Sequence, residues 1–328
     1  MVRGALAALV LASLTGVAAA DPNDLVLARL ATRITDAGGQ LQAVVGENLE
    51  LRALASQLGV VLAPHLLTPA DTLGFGGFQL DLDVSQTTID SKQPYWRALE
   101  RSPDPMGTNR VAHGPGFLRT IGMFAHKGLW LPLPSFELGV GAVHLIDSKT
   151  WTAQLYGKFG LNEGYHDALL PSLAVRGAVS RMMNQHELDL TIASLDVTLS
   201  KHIGVGGTWR FDPFVGYDLL MIIPRTAVIE TTPSVDPLHP GDEQDAMNNI
   251  VFKDQATIYR HRILVGAKLQ YSVVQLTLEG QLALAGSSVD DRPGTSDVCQ
   301  PSSTTSACDA KDTAAAQTTL SVSAGFAF

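Results

Sequence analysis

From Leu73 to the last residue, apolar and polar positions alternate with period two along most of the chain. Phe78, Leu80, Leu82 and Val84 alternate with Gln79, Asp81, Asp83 and Ser85. Trp151, Ala153, Leu155, Gly157, Phe159 and Leu161 alternate with Thr152, Gln154, Tyr156, Lys158, Gly160 and Asn162. Further apolar faces run through Val215–Ile223, Tyr259–Tyr271 and Val274–Leu284, with weaker ones near 117–128, 135–147 and 171–182. The segment 187–200 changes phase between Ile192 and Leu195, which predicts a β-bulge. The final stretch places Leu320, Val322, Ala324, Phe326 and Phe328 on one face and Thr319, Ser321, Ser323 and Gly325 on the other. Side chains of a strand point alternately to its two faces, so this pattern predicts strands with one apolar and one polar side. The count is about ten, with twelve as the alternative if residues 91–116 or 225–256 hide another hairpin.

The first residues read differently. Arg3 precedes an uncharged apolar run from Leu6 to Val17, and Ala18, Ala19 and Ala20 offer a small-residue cleavage site, so residues 1–20 read as a secretory signal peptide. Residues 21–72 carry helical spacing instead of alternation. Leu51, Leu54, Ala55 and Leu58 make a stripe, with Glu47, Asn48, Glu50, Arg52 and Gln57 mostly off it. A second short helix is expected over Asn23–Asp36, stopped by Gly38 and Gly39. Pro64 and Pro69 close the helical region.

Composition decides what this pattern is for. The chain is 45% hydrophobic and only 17% charged, yet after the signal it has no apolar run of about 18 residues or more. A transmembrane barrel hides its apolar residues among polar ones in this way. The expected fold is therefore all-β: an antiparallel, up-and-down transmembrane β-barrel over 73–328, with the helical segment 21–72 ahead of it. That segment either plugs the lumen, lies in the periplasm or lies along the membrane surface. Parity supports ten strands: the longest connections, near 91–116, 224–256 and 287–316, follow strands one, seven and nine on one side, and the short ones near 132–134 and 272–273 fall on the other, with the moderately long 163–170 as the exception. A two-residue turn at Ser272 and Val273 would pair Tyr271 with Val274 and Lys268 with Thr277. The net charge of −9 argues against nucleic acid as a partner. Cys299 and Cys308 are close together in a polar loop and read as a disulfide in an oxidising compartment.

The signal peptide together with the aromatic-terminated last strand resembles bacterial outer-membrane β-barrel proteins. The resemblance implies residence in the outer membrane, lipid as the surrounding partner, and recognition of Leu320, Val322, Phe326 and Phe328 by the barrel-insertion machinery. The layout also loosely resembles the long-chain fatty-acid and hydrophobic-compound transporters. That family has more strands and an Asn-Pro-Ala hatch motif that does not follow the signal here, so none of its functional residues is carried across.

Alternation assigns Asp81, Asp83, Lys158, Arg176, Asp189, Asp196, Asp218, Arg260, Arg262, Lys268 and Glu279 to the lumen. Lys268 and Glu279 are diagonal neighbours within reach of an ion pair. Charges of both signs inside a barrel either pair into a filled interior or line a path for a solute, and ten to twelve strands lie near the filled end of that range. Asp81-x-Asp83 resembles the paired acids of omptin proteases, but it sits deep in strand one and no Asp-x-His completes the pattern. The His-x-Ser spacing of outer-membrane lipases and deacylases is absent too, so the expectation is not an enzyme. The nine histidines do not cluster at metal-ligand spacing, and no cofactor is expected. The acidic loop residues Asp236, Asp242, Glu243, Asp245, Asp290, Asp291 and Asp297 read as a solvated surface. The expected function is passive passage of a small or hydrophobic solute, with a non-transporting structural or surface-interaction barrel as the alternative and an outer-membrane hydrolase as the minor one.

Overall fold

The computed structural model describes residues 21–65, 68–102, 115–130, 135–163, 170–230, 249–290 and 310–328. The signal segment 1–20, most of the acidic loop residues and the Cys299–Cys308 pair lie outside these residues.

Ten antiparallel strands close into a barrel. They are β1 (Phe78–Thr88), β2 (Phe117–Leu129), β3 (Phe136–Leu145), β4 (Trp151–Asn162), β5 (Ser172–Met183), β6 (Leu188–Ser200), β7 (Trp209–Thr226), β8 (Ile258–Tyr271), β9 (Val274–Ala283) and β10 (Gln317–Ala327). Each pairs with its sequence neighbours, and β10 closes on β1, with Val322 opposite Val84. The seam is finished by Phe78 and Phe328, whose backbones exchange two hydrogen bonds. Tyr271 and Val274 are cross-strand partners, so the two-residue turn forms as the spacing predicts. Ser272 accommodates it with a φ of 53°.

The three longest connections, between β1 and β2, β7 and β8, and β9 and β10, all leave from one rim, here the loop rim, together with the short ones 146–150 and 184–187. The other rim, here the turn rim, carries only the connections around 130–135, 163–171, 201–208 and 272–273. The outward faces are apolar: Leu82, Met123 and Val265 are 60–63% exposed, as are many other large aliphatic side chains. A protein surrounded only by water does not leave so continuous an apolar belt open. Aromatics gather toward the turn rim, where Trp130, Trp209, Tyr271, Phe326 and Phe328 all face outward. That is the girdle expected where an apolar band meets water.

The N-terminal region departs from the helical expectation in its first half. Residues Leu27–Leu30 form one 3-10 turn, and Ala31–Thr35 pairs with Leu41–Gly46 as a β-hairpin. The β-branched residues Thr32, Ile34 and Thr35 against Val44 and Val45 favour strand over helix. The glycine pair is the hairpin turn, not a helix stop: Asp36 Oδ1 accepts from the N–H groups of Gly38 and Gln40. The second helix does form, as α1 (Asn48–Val61).

Helix α1 lies inside the barrel at the loop rim, touching β2, β6, β7, β8 and β10. Leu51, Leu54 and Leu58 pack with Leu118, Leu145, Leu188, Leu190, Ile192, Leu220, Ile222 and Ile258 in one buried cluster. Contact with β7 is close enough that a Cβ on Gly59 would stand 2.5 Å from Ile222 Cδ1. This packing removes the predicted bulge. Strand β6 pairs without a register shift, and Leu188, Leu190, Ile192, Ser194, Asp196, Thr198 and Ser200 all face inward. The apparent change of phase is a change in what fills the interior: apolar around α1, polar below it. For the same reason Asp189 is not in the lumen. It faces outward and pairs with the exposed Arg181 at 2.5 Å.

Candidate functional site

Below α1 the chain descends through the lumen toward the turn rim, and the wall groups holding it follow from strand register. Glu137, Lys158, Arg176, Asp196, Asp218 and Arg262 are successive cross-strand partners from β3 to β8. They form one continuous charged row. Strands in a barrel are tilted and staggered, so a row that follows hydrogen-bond register winds around the wall. It starts one residue from the turn-rim end of β3, at Glu137, and reaches the loop-rim half of β8, at Arg262.

Each acid in the row neutralises a base. Glu137 Oε2 lies 3.2 Å from Lys158 Nζ, and Arg176 Nε donates to Asp196 Oδ2 at 2.7 Å. Arg262 Nε donates to Asp218 Oδ2 at 2.7 Å. The remaining donors reach the descending chain in order. Arg262 Nη2 donates to the Pro64 carbonyl at 2.8 Å and Arg176 Nη1 to the His65 carbonyl at 2.7 Å. Lys158 Nζ donates to the carbonyls of Pro69 (3.3 Å) and Asp71 (3.0 Å). Glu137 Oε2 accepts the Leu73 N–H at 3.0 Å. Ser180 Oγ donates to the Leu62 carbonyl, and Ser200 Oγ accepts the Ala70 N–H. The wall therefore grips this chain chiefly by its backbone. Buried peptide groups must be paired, and charge-assisted bonds do this strongly. Arg176, Arg262 and Lys158 are all almost completely buried, so each depends on its carboxylate partner.

Two smaller clusters complete the interior. Asp81 Oδ2 lies 2.9 Å from His126 Nε2, and His126 Nδ1 meets the Tyr156 hydroxyl, which donates to Glu137 Oε1 at 2.6 Å. Gly139 makes room for the Tyr156 ring, since a Cβ there would fall 2.0 Å from Tyr156 Cε1. Higher up, His65 Nδ1 lies 3.3 Å from Asp83 Oδ2 and 3.0 Å from Ser85 Oγ. At the turn rim a cavity of about 230 Å³ is bordered by Asp71, Arg210, Asp212, Lys268 and Phe328.

Of the expected lumen residues, Asp81, Asp83, Lys158, Arg176, Asp196, Asp218, Arg260, Arg262, Lys268 and Glu279 are buried on the inward side, and Asp189 is the exception. Arg260 serves the apolar half, where its guanidinium donates to Ser56 Oγ, at 2.8 Å, and to the Leu284 and Ala315 carbonyls. The expected Lys268–Glu279 pair is replaced: Lys268 Nζ donates to Gln79 Oε1 at 3.3 Å, and Glu279 accepts from Gln281 at 2.5 Å. Sequence reasoning missed Glu137, His126 and His65. Glu137 sits between Phe136 and Leu138 in a detectable alternation. His65 lies in a proline-flanked segment with no periodicity to place it. Leu320, Val322 and Phe326 face outward on β10, and Phe328, one residue past it, is exposed. Among the described residues, no group of three or more His, Cys, Asp or Glu side chains converges on a metal position.

At the loop rim Arg97 pairs with Glu50 and Arg29 with Glu100, and the carboxyl of Glu187 is perturbed. Glu187 accepts the Leu27 N–H at 2.5 Å. Burial raises its carboxyl above the usual range, partly offset by that bond.

No protein-family model matches the chain. No curated protein matches it either. Among solved structures it is similar to LpxR from Salmonella typhimurium, with 12% identity over 74% of this chain and 99% of that one, at a TM-score of 0.30. At that score nothing transfers from LpxR to this chain.

Proposed function

We propose that the chain is an outer-membrane β-barrel that rests closed, its lumen filled by its own residues 62–65 and 68–73 below α1, and that it acts at the surface through its loop-rim cap, the N-terminal residues 23–46, instead of as an open channel. The carrying observation is the charged row with its donors and acceptor committed to the backbone of that segment. The apolar outer belt and the aromatic girdle support placement in a bilayer, with lipid as the surrounding partner. The outward-facing terminal strand is what the insertion machinery would read. Passage of a small or hydrophobic solute would require that segment to leave the lumen. No catalytic role is assigned to His65, Ser85 and Asp83. A serine–histidine–acid relay needs the serine and the acid on different ring nitrogens, and here both share Nδ1. Reconstitution in planar bilayers tests the reading: the intact protein should give no steady conductance. A stable ohmic current from it would restore the passive-channel reading.

A further inference from the structure

The path of the chain says more than that the lumen is filled. Residues 23–31 are held at the loop rim. The Asn23 N–H donates to the Asp147 carbonyl, Val26 to Ala98, and Leu27 to Glu187. The hairpin beside them leads into α1, seated inside the same rim. Residues 62–65 and 68–73 then lie along the charged row, and Gly74–Gly77 emerge at the turn rim, where Gly128 N–H donates to the Gly77 carbonyl and Lys127 Nζ to the Gly76 carbonyl. Only there does β1 begin. The chain thus crosses the barrel from rim to rim before building it.

We infer that the lumen is a binding site for a single non-helical stretch of polypeptide, occupied in cis by residues 62–65 and 68–73, and that it holds the N-terminal unit, residues 23–46, outside the cell. The inference rests on the outer-membrane reading above, in which the long-loop rim faces outward. The chemistry fits a peptide held through its backbone. Lys158, Arg176, Arg262 and Ser180 donate to carbonyls, while Glu137 and Ser200 accept N–H groups, none of which depends on the identity of the side chains gripped. The N-terminal unit is a packed hairpin and turn braced on the outer loops, and the lumen beneath it is already filled by α1 and the segment that follows. It therefore crosses unfolded, or the barrel closes around its linker, before the cap assembles.

Single cysteines report the topology without disturbing the lumen. In a background with C299S and C308S, Ala37→Cys marks the exposed hairpin tip and Thr208→Cys the exposed turn rim. Intact cells are treated with a membrane-impermeant maleimide, then permeabilised and treated again. Labelling of Ala37→Cys on intact cells, with Thr208→Cys labelled only after permeabilisation, is the expected result. If both sites label only after permeabilisation, the N-terminal unit is periplasmic and the inference is overturned, while the outer-membrane reading stands. If Thr208→Cys labels on intact cells and Ala37→Cys does not, the orientation itself is wrong and both fall.

Discussion

The two halves of the barrel interior are filled by opposite means. Near the loop rim, α1 presents Leu51, Leu54 and Leu58 to an apolar wall of Leu188, Leu190, Ile192, Leu220 and Ile222. Near the turn rim, a non-helical segment is gripped through its backbone by Lys158, Arg176, Arg262 and Glu137. A helix satisfies its own backbone groups and needs only apolar contact. A non-helical segment leaves its groups to be paired from outside, so its wall must supply donors and acceptors. Around α1 polar contacts go chiefly to its side chains instead, as where Ser56 donates to Asp312 and Trp96 to Gln57.

The contrast predicts different responses to substitution. The largest effect should come from Arg176→Ala, which leaves Asp196 buried without its cation and frees the His65 carbonyl. Removing one partner of a buried pair costs about 3–5 kcal/mol. Urea unfolding in lipid vesicles should show that loss, and a further Asp196→Ala substitution should recover part of it. Full stability in Arg176→Ala would mean that the charged row does not hold the plug. In the apolar half, Gly59→Ala should cost about 1–3 kcal/mol through overpacking against Ile222. Pairing it with Ile222→Val should restore part of the loss, and an additive double mutant would place α1 away from β7. The smallest effect concerns Glu187. Its raised carboxyl pKa means that the folded state prefers the protonated form. Stability should therefore be greatest below the ordinary glutamate pKa and fall as pH rises through the raised value. Glu187→Gln should flatten that slope, while its amide oxygen still accepts the Leu27 N–H; an unchanged pH profile would exclude Glu187 as the source.

Much of the wall was legible residue by residue. Alternation puts Leu82, Val265 and Leu278 outward and Asp81, Lys158 and Arg262 inward because it is a property of each strand alone. It fails where α1 enters. There it puts Asp189 inside and a bulge near Ile192, because an apolar residue reads as facing lipid, whereas at the loop rim the interior is apolar too. The charged row was legible as separate residues but not as a row, since its continuity depends on the register of six strands. The hairpin over 31–46 was hidden by composition that also suits a helix, and Asp36 capping the turn decides it.

The sequence by itself determined that this chain builds a β-barrel wall of ten to twelve strands with an apolar exterior, because a period of two is local and survives without knowledge of any neighbour; the structure fixes the count at ten. Only the tertiary structure decided what fills that wall and at which rim the N-terminal unit rests. Those outcomes depend on contacts such as Ser180 with Leu62, 118 residues apart in the chain, and Arg262 with Pro64, 198 apart. No local pattern encodes such a pairing. It exists only once the barrel has closed around the segment it holds.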